Sequence, residues 1–266
     1  MASYNADLTI LVDTRLPELI QKQIQMTCNS MAYFSGSDSS EKGIAILIKN
    51  NSDLKVTNVI RDDKGQLLMI ELIHAGNPIL VVAVYGDPRG DPVDWWQNLM
   101  EKVENLGHHL WVMAGDFNLY FNHQTDTDRL TSKRNARPKS AAFFNNLFSN
   151  GDAVDAFRTL HPTKRSFTWR SWDRHVSLGK RTRIDHCIVS PGFMPYVNDV
   201  EHLDSPFAYD LDHKLIKLTW SYSNFSPGPG NFRCQRGLEN NPDYQTIIEN
   251  CIRNTAFDHV DWPKVS

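Results

Sequence analysis

Apolar residues along this chain fall in short runs separated by polar turns, a spacing that predicts many strands and few helices. Leu8–Val12 runs straight into Asp13 and reads as a buried, central strand ending on a carboxylate. Gly43–Lys49 follows, then Gln66–Ile73 behind the turn signal Asp63-Lys64-Gly65. Ile79–Tyr85 and Leu110–Asp116 are almost continuously apolar, which predicts strands covered on both faces. Arg183–Ser190 and Leu215–Trp220 alternate more, as a half-buried strand does.

Two helices lie between these runs. Asp91 is placed to cap the first, with Pro92 at its opening position, Trp96, Leu99, Val103 and Leu106 on one face, and Gly107 at its end. The second starts near Ser140, buries Phe143, Phe144, Leu147 and Phe148, and stops at Gly151. Strands interspersed with helices predict an α/β fold in which sheets pack face to face with helices outside. After Trp220 the composition turns rich in Pro, Gly and Ser, and beyond it Tyr244, Ile247, Ile248, Cys251 and Ile252 recur at helical spacing. A main domain over residues 1–222 and a linker with the start of a further segment over 223–266 follow from that change.

The 266 residues carry a net charge of −3, which does not mark a general polyanion binder. The distribution changes that picture. Between Arg129 and Arg183 there are 13 Lys and Arg against 3 Asp and Glu, while the rest of the chain holds 15 against 28. Such a basic block is either a polyanion-binding face or a solvated loop surface. The cysteines Cys28, Cys187, Cys234 and Cys251 are scattered without a CxxC pair, the pattern of reduced thiols in a nuclear or cytoplasmic protein. No apolar run reaches the ~20 residues that span a bilayer, and no basic stretch followed by an apolar core marks a secretory signal.

Three further acids repeat the pattern of Asp13. Asp116 follows Leu110–Gly115, Asp185 stands in Arg183-Ile184-Asp185-His186, and Asp212 precedes His213 ahead of the last alternating run. Strand ends in stacked sheets can converge on one rim. A buried carboxylate is costly unless paired or ligating a metal, so several at one rim point to a hard cation such as Mg²⁺ or Mn²⁺. Any single one of these acids is more often a turn former or helix cap, as Asp87 before Pro88 is expected to be.

Gly115-Asp116-Phe117-Asn118, Arg183-Ile184-Asp185-His186 and Asp212-His213, in that order, resemble the exonuclease/endonuclease/phosphatase superfamily, which includes deoxyribonuclease I and apurinic endonucleases. Within it the sequence is most similar to the endonuclease domain of LINE-type (non-LTR) retrotransposons. "LVDTRL", "GIAILIKNN", "VVAVYGDP" and "VDAFRTLHPTKRSFTWRS" each match a segment of that family, and the likeness extends over residues 6–222. "GPGNFRCQRGLENNPDYQ" is similar to the connector toward a reverse transcriptase. The resemblance implies a four-layer α/β sandwich of two packed mixed sheets flanked by helices. It implies hydrolysis of a DNA phosphodiester with Mg²⁺ or Mn²⁺, the nick priming reverse transcription.

The resemblance also implies roles. Asp13 would hold the cation, with Asp212 supporting it. His213 would activate water or stabilise the charged transition state, and Asp185 would orient it. Asp116 and Asn118 would contact the scissile phosphate and the attacking or leaving oxygen, and Tyr85 a phosphate oxygen. Thr168, Arg129, Lys133, Arg134 and Arg183 would face DNA. The sequence departs from the family where Asp13 stands for Glu and Leu211 for Ser, and where a first strand ending in an active-site Asn is absent ahead of Met1. Three readings follow: a divalent-metal DNA endonuclease of the LINE type; a catalytically impaired remnant; or a phosphatase or phosphodiesterase of the same superfamily.

Overall fold

The computed structural model describes residues 6–36, 41–128, 137–171, 180–204 and 211–222, with 242, 245 and 246 near the C-terminus. By its contacts the chain divides into residues 1–222 and 223–266. In the second unit Thr246 Oγ1 donates to the Pro242 carbonyl (2.9 Å); the linker and the apolar stripe from Tyr244 to Ile252 lie outside the described residues.

In the first unit, β1 (Leu8–Val12), β2 (Ser30–Ser35) and β3 (Ile44–Lys49) form an antiparallel sheet in the order β1-β3-β2. A larger mixed sheet is built from β4 (Lys55–Arg61), β5 (Leu67–His74), β6 (Asn77–Tyr85), β7 (Trp111–Asp116), β8 (Val154–Asp155) and β11 (Asp185–Val189), ordered β4-β5-β6-β7-β11-β8. Only β6 and β7 run parallel, joined by the helix α2 (Val93–Asn105) as a parallel pair requires. Two short ribbons complete the strands: β9 (Trp169–Arg170) with β10 (Arg181–Thr182), and β12 (Val197–Leu203) with β13 (Leu215–Trp220).

The period of two along β6 explains the layering. Leu80, Val82 and Val84 point to a cluster containing Trp96, Leu99, Met100 and Val103 of α2 and Phe144 of α4 (Pro138–Asn150). Ile79, Val81, Ala83 and Tyr85 point the other way, to a cluster with Ile44, Ile46 and Ile48 of β3, Val200 of β12 and, partly buried, Ile216 and Leu218 of β13. The helix α1 (Glu18–Thr27) closes the far side over Ala32, Phe34 and Ala45 through Ile24. The order is therefore helix, sheet, sheet, helix. Two small helices, α3 (His123–Asp126) and α5 (Ala156–Leu160), lie in the connections.

Most expected elements form. Three expectations need correction. β1 is neither buried nor central: it is an edge strand, paired only with β3, with Leu11 43% exposed. β11 does not alternate; all five of its residues are buried, because β7 and β8 flank it and both faces are packed. Asp91 caps a different helix from the expected one. Its carboxylate accepts the N–H groups of Lys139 and Ser140 in the first turn of α4 (2.8 and 3.0 Å), leaving Pro92 to open α2 without a side-chain cap.

The layer facing the mixed sheet is in two pieces. β1-β3-β2 lies over β4 to β7, β12-β13 over β11, and among the described residues no strand hydrogen-bonds one piece to the other. Ala114 of the central strand β7 is accordingly only partly covered.

Candidate active site

Three adjacent strands of the mixed sheet end on polar side chains at the same level. Register pairs Tyr85 with Asp116 and Asp116 with Asp185. The turn after β7 is built for close approach. Gly115 has φ 144°, and a Cβ there would fall 2.0 Å from the Val84 carbonyl oxygen, so only glycine lets β7 pass β6 at this point. Phe117 then turns inward and stacks on Trp96, ring centroids 5.0 Å apart. Asn118 takes a left-handed backbone (φ 53°), which Asn tolerates, and binds Asp116 twice: its N–H to Oδ1 (2.7 Å) and its Nδ2 to Oδ2 (3.1 Å). A further bond runs from Nδ2 to the Gly86 carbonyl (3.0 Å).

His213 joins from the loop before β13. Its Nδ1 lies 2.9 and 3.1 Å from the two carboxylate oxygens of Asp185. Asp116, Asp185 and His213 can each offer a ligand atom within 4.8 Å of the others. Burial pulls the imidazole pKa down, but the hydrogen bond and charge of Asp185, with Asp116 and Asp212 behind it, carry it up to about 9. Burial, then the charge of Asp185, holds the Asp116 carboxyl well above the usual carboxylate range. Burial pushes the Tyr85 phenol up to about 12, helped by Asp13 and Asp116, so it remains a neutral donor. Two crowded carboxyl groups, one of them reluctant to ionise, are a donor set that a hard divalent cation fits.

The structure thus brings together His213, Asp185, Asp116, Asn118 and Tyr85. It does not bring Asp13 or Asp212 into the three-residue cluster. Asp13 is bound at both oxygens by Arg15 (2.8 Å each), both residues having left-handed backbones (φ 56° and 46°) that fold the arginine back onto the acid. The Asp212 backbone carbonyl accepts the Arg170 N–H (2.9 Å), and its charge reaches His213 from outside the cluster.

Two expected DNA contacts are corrected. Arg183 is 1% exposed and grips two buried acids, Asp126 (3.0 and 3.1 Å) and Asp155 (2.6 and 3.1 Å), so it cannot face DNA. Thr168 is fully buried, its hydroxyl oxygen accepting the N–H groups of Ile184 (3.1 Å) and Asp185 (3.0 Å). Arg129, Lys133 and Arg134 lie outside the described residues. Elsewhere in the basic block, Lys164, Arg165, Arg170 and Arg181 are exposed, and the guanidinium groups of Arg165 and Arg181 both lie over the Phe167 ring, 5.5 and 5.2 Å from its centroid.

Sequence reasoning missed Arg137, whose guanidinium donates to the carbonyls of Asn118 and Pro88 and ties the two loops beside the site. It also missed Asp126 and Asp155. The available signal was a paired one: Arg183 stands just ahead of a strand that carries a motif acid, and an arginine buried there demands buried acids.

Carboxylates and a histidine thus meet where strands of the two stacked layers end. A sequence model of the Endonuclease/Exonuclease/phosphatase family matches residues 2–213, and the chain belongs to that family. Among solved structures, the 3′ phosphatase NExo from Neisseria, determined with a product DNA hairpin, is 21% identical with a TM-score of 0.64, over 83% of this chain and 91% of that one. An AP endonuclease from Archaeoglobus fulgidus is 18% identical with a TM-score of 0.65, over 80% and 88%. The catalytic domain of APE2 from Xenopus laevis is 18% identical with a TM-score of 0.65, over 81% and 83%. At these identities the likeness establishes the fold. Among the described residues no helix is long and apolar enough to cross a membrane.

Proposed function

We propose that the protein hydrolyses DNA phosphodiesters as a Mg²⁺- or Mn²⁺-dependent endonuclease of the LINE type, nicking target sites for a reverse transcriptase encoded in the same polyprotein. The observation that carries the reading is the His213–Asp185 pair set against Asp116 and Asn118. Asp116 and Asp185 would hold the cation, which when bound polarises a phosphoryl oxygen. Asp185 fixes the imidazole through Nδ1 and so directs Nε2 to the substrate side. His213, hydrogen-bonded to Asp185 (2.9 Å), stabilises negative charge developing on the phosphoryl group. Tyr85 donates to a phosphate oxygen, and Asn118 holds Asp116 in place. The exposed cations around Phe167 supply the polyanion contact.

Nicking of supercoiled plasmid in Mg²⁺ tests this. His213→Ala lowers the rate by about 10²- to 10⁴-fold, with plasmid binding retained. A wild-type protein that binds plasmid and leaves it intact in both Mg²⁺ and Mn²⁺ would sink the proposal. That result would favour a second reading, a catalytically impaired relative, which the engagement of Asp13 by Arg15 supports.

A further inference from the structure

The side chains of the reacting pair stand on pieces of the fold that share little hydrogen bonding. Asp185 opens β11 in the mixed sheet, whereas His213 leads into β13, which among the described residues pairs with β12 alone. The layer that carries His213 is split, so its backbone gains no register from β1-β3-β2. Something else must set the 2.9 Å contact between Nδ1 and the carboxylate.

We infer that Thr168 is the positioning residue of the Asp185–His213 pair, a strut bonded to both sides at once. This inference rests on the proposed role of that pair. On one side the Thr168 hydroxyl oxygen uses both lone pairs on the N–H groups of Ile184 and Asp185 (3.1 and 3.0 Å). On the other, its backbone carbonyl accepts the N–H of Lys214, the residue after His213 (2.7 Å). The next two residues extend the attachment: Trp169 forms a β-bridge with His213, and the Arg170 N–H donates to the Asp212 carbonyl (2.9 Å). A third anchor runs from the Thr168 N–H to the Thr182 carbonyl (3.2 Å), beside Arg183 and its two buried acids. Thr168 is fully buried, so water cannot replace its hydroxyl.

The strut is specific to a hydroxyl. Valine keeps the volume but leaves two N–H groups without an acceptor, whereas serine keeps the acceptor and loses only a methyl group. Two measurements on the metal-free full chain and one on plasmid with Mg²⁺ test it. In the wild type, the amides of Ile184, Asp185 and Lys214 exchange with solvent as one slow cooperative group. In Thr168→Val they exchange at least about 10-fold faster, the low-field Nδ1–H proton signal of His213 broadens or vanishes, and Ile188 and Val189 are unchanged. Thr168→Ser restores the signal and the slow exchange. On plasmid, Thr168→Val lowers kcat by about 10- to 100-fold with KM unchanged.

A valine variant that keeps the His213 signal and loses only thermal stability overturns the inference, leaving Thr168 a packing residue. Should that variant not fold, independent exchange of Lys214 from Ile184 and Asp185 in the wild type overturns it equally. A wild type that cuts no DNA but shows the expected signals refutes the proposed activity and leaves the strut standing.

Discussion

Asp13 and Asp116 look alike in the sequence, each closing an apolar run, and end in opposite circumstances. Asp116 terminates β7, a central strand with β6 and β11 on either side, and is 5% exposed. Its carboxylate is held by Asn118, faces Asp185 and is driven toward its neutral form. Asp13 terminates an edge strand, and its side chain is 37% exposed and paired to an arginine that is itself 64% exposed. An acid at a strand end acquires unusual chemistry when both neighbours of the strand and both faces of its sheet are covered. At an open edge, water and the nearest cation satisfy it.

Perturbation separates the two regions. The largest effect is expected in the buried network behind the central strands. Arg183→Met leaves Asp155 without its cation and Asp126 with Arg158 alone (2.7 Å); burial pushes the Asp126 pKa up, and Arg183, with His186 and the Asn122 N–H, holds it down at about 2. Urea unfolding should show a loss of about 3–5 kcal/mol, and a loss under 1 would mean that the network is not a support for the site.

An intermediate effect is expected from pH. His213 and Asp116 both have folded-state pKa values above their ordinary ones. Each therefore binds its proton more tightly when folded, and its contribution is complete below the ordinary value and lost as pH rises through the folded one. For His213 the window runs from 6.5 to about 9. Stability of the metal-free protein should fall across it, and Asp185→Asn, which removes the main cause, should flatten the fall. A wild-type profile already flat between those values would contradict the charge coupling.

The smallest effect is expected at the edge. Asp13→Ala and Arg15→Ala break an exposed pair and should each change stability by less than about 1 kcal/mol. If Asp13→Ala instead destabilises as much as Arg183→Met, the contrast drawn between the two acids fails.

Much of this was legible beforehand. Continuous apolar runs marked β6 and β7 as doubly covered, since such strands cannot expose either face, and the Gly-Asp-Phe-Asn turn marked one place where the acids converge. β2, β4 and β12 were not legible. Their sequences are mixed because each borders the sheet or faces solvent in part, so burial imposes no clean period on them. The basic block misled at Arg183 for a related reason. Charge counting sees Arg183 beside Arg181, but one side chain points into the sheet interior and the other out over Phe167.

The sequence by itself determined the family, the strands that bear Tyr85, Asp116 and Asp185, and the residue types the site can use, because local periodicity and the chemistry of carboxylates and imidazole depend only on what is adjacent along the chain. Only the tertiary structure decided which acids meet. It put Asp116 and Asp185 in register across two antiparallel strands, brought His213 to Asp185, left Asp13 on an open edge and turned Thr168 from surface to strut. Those outcomes depend on strand order and on which edges are covered, and both are set by contacts between residues far apart in the chain.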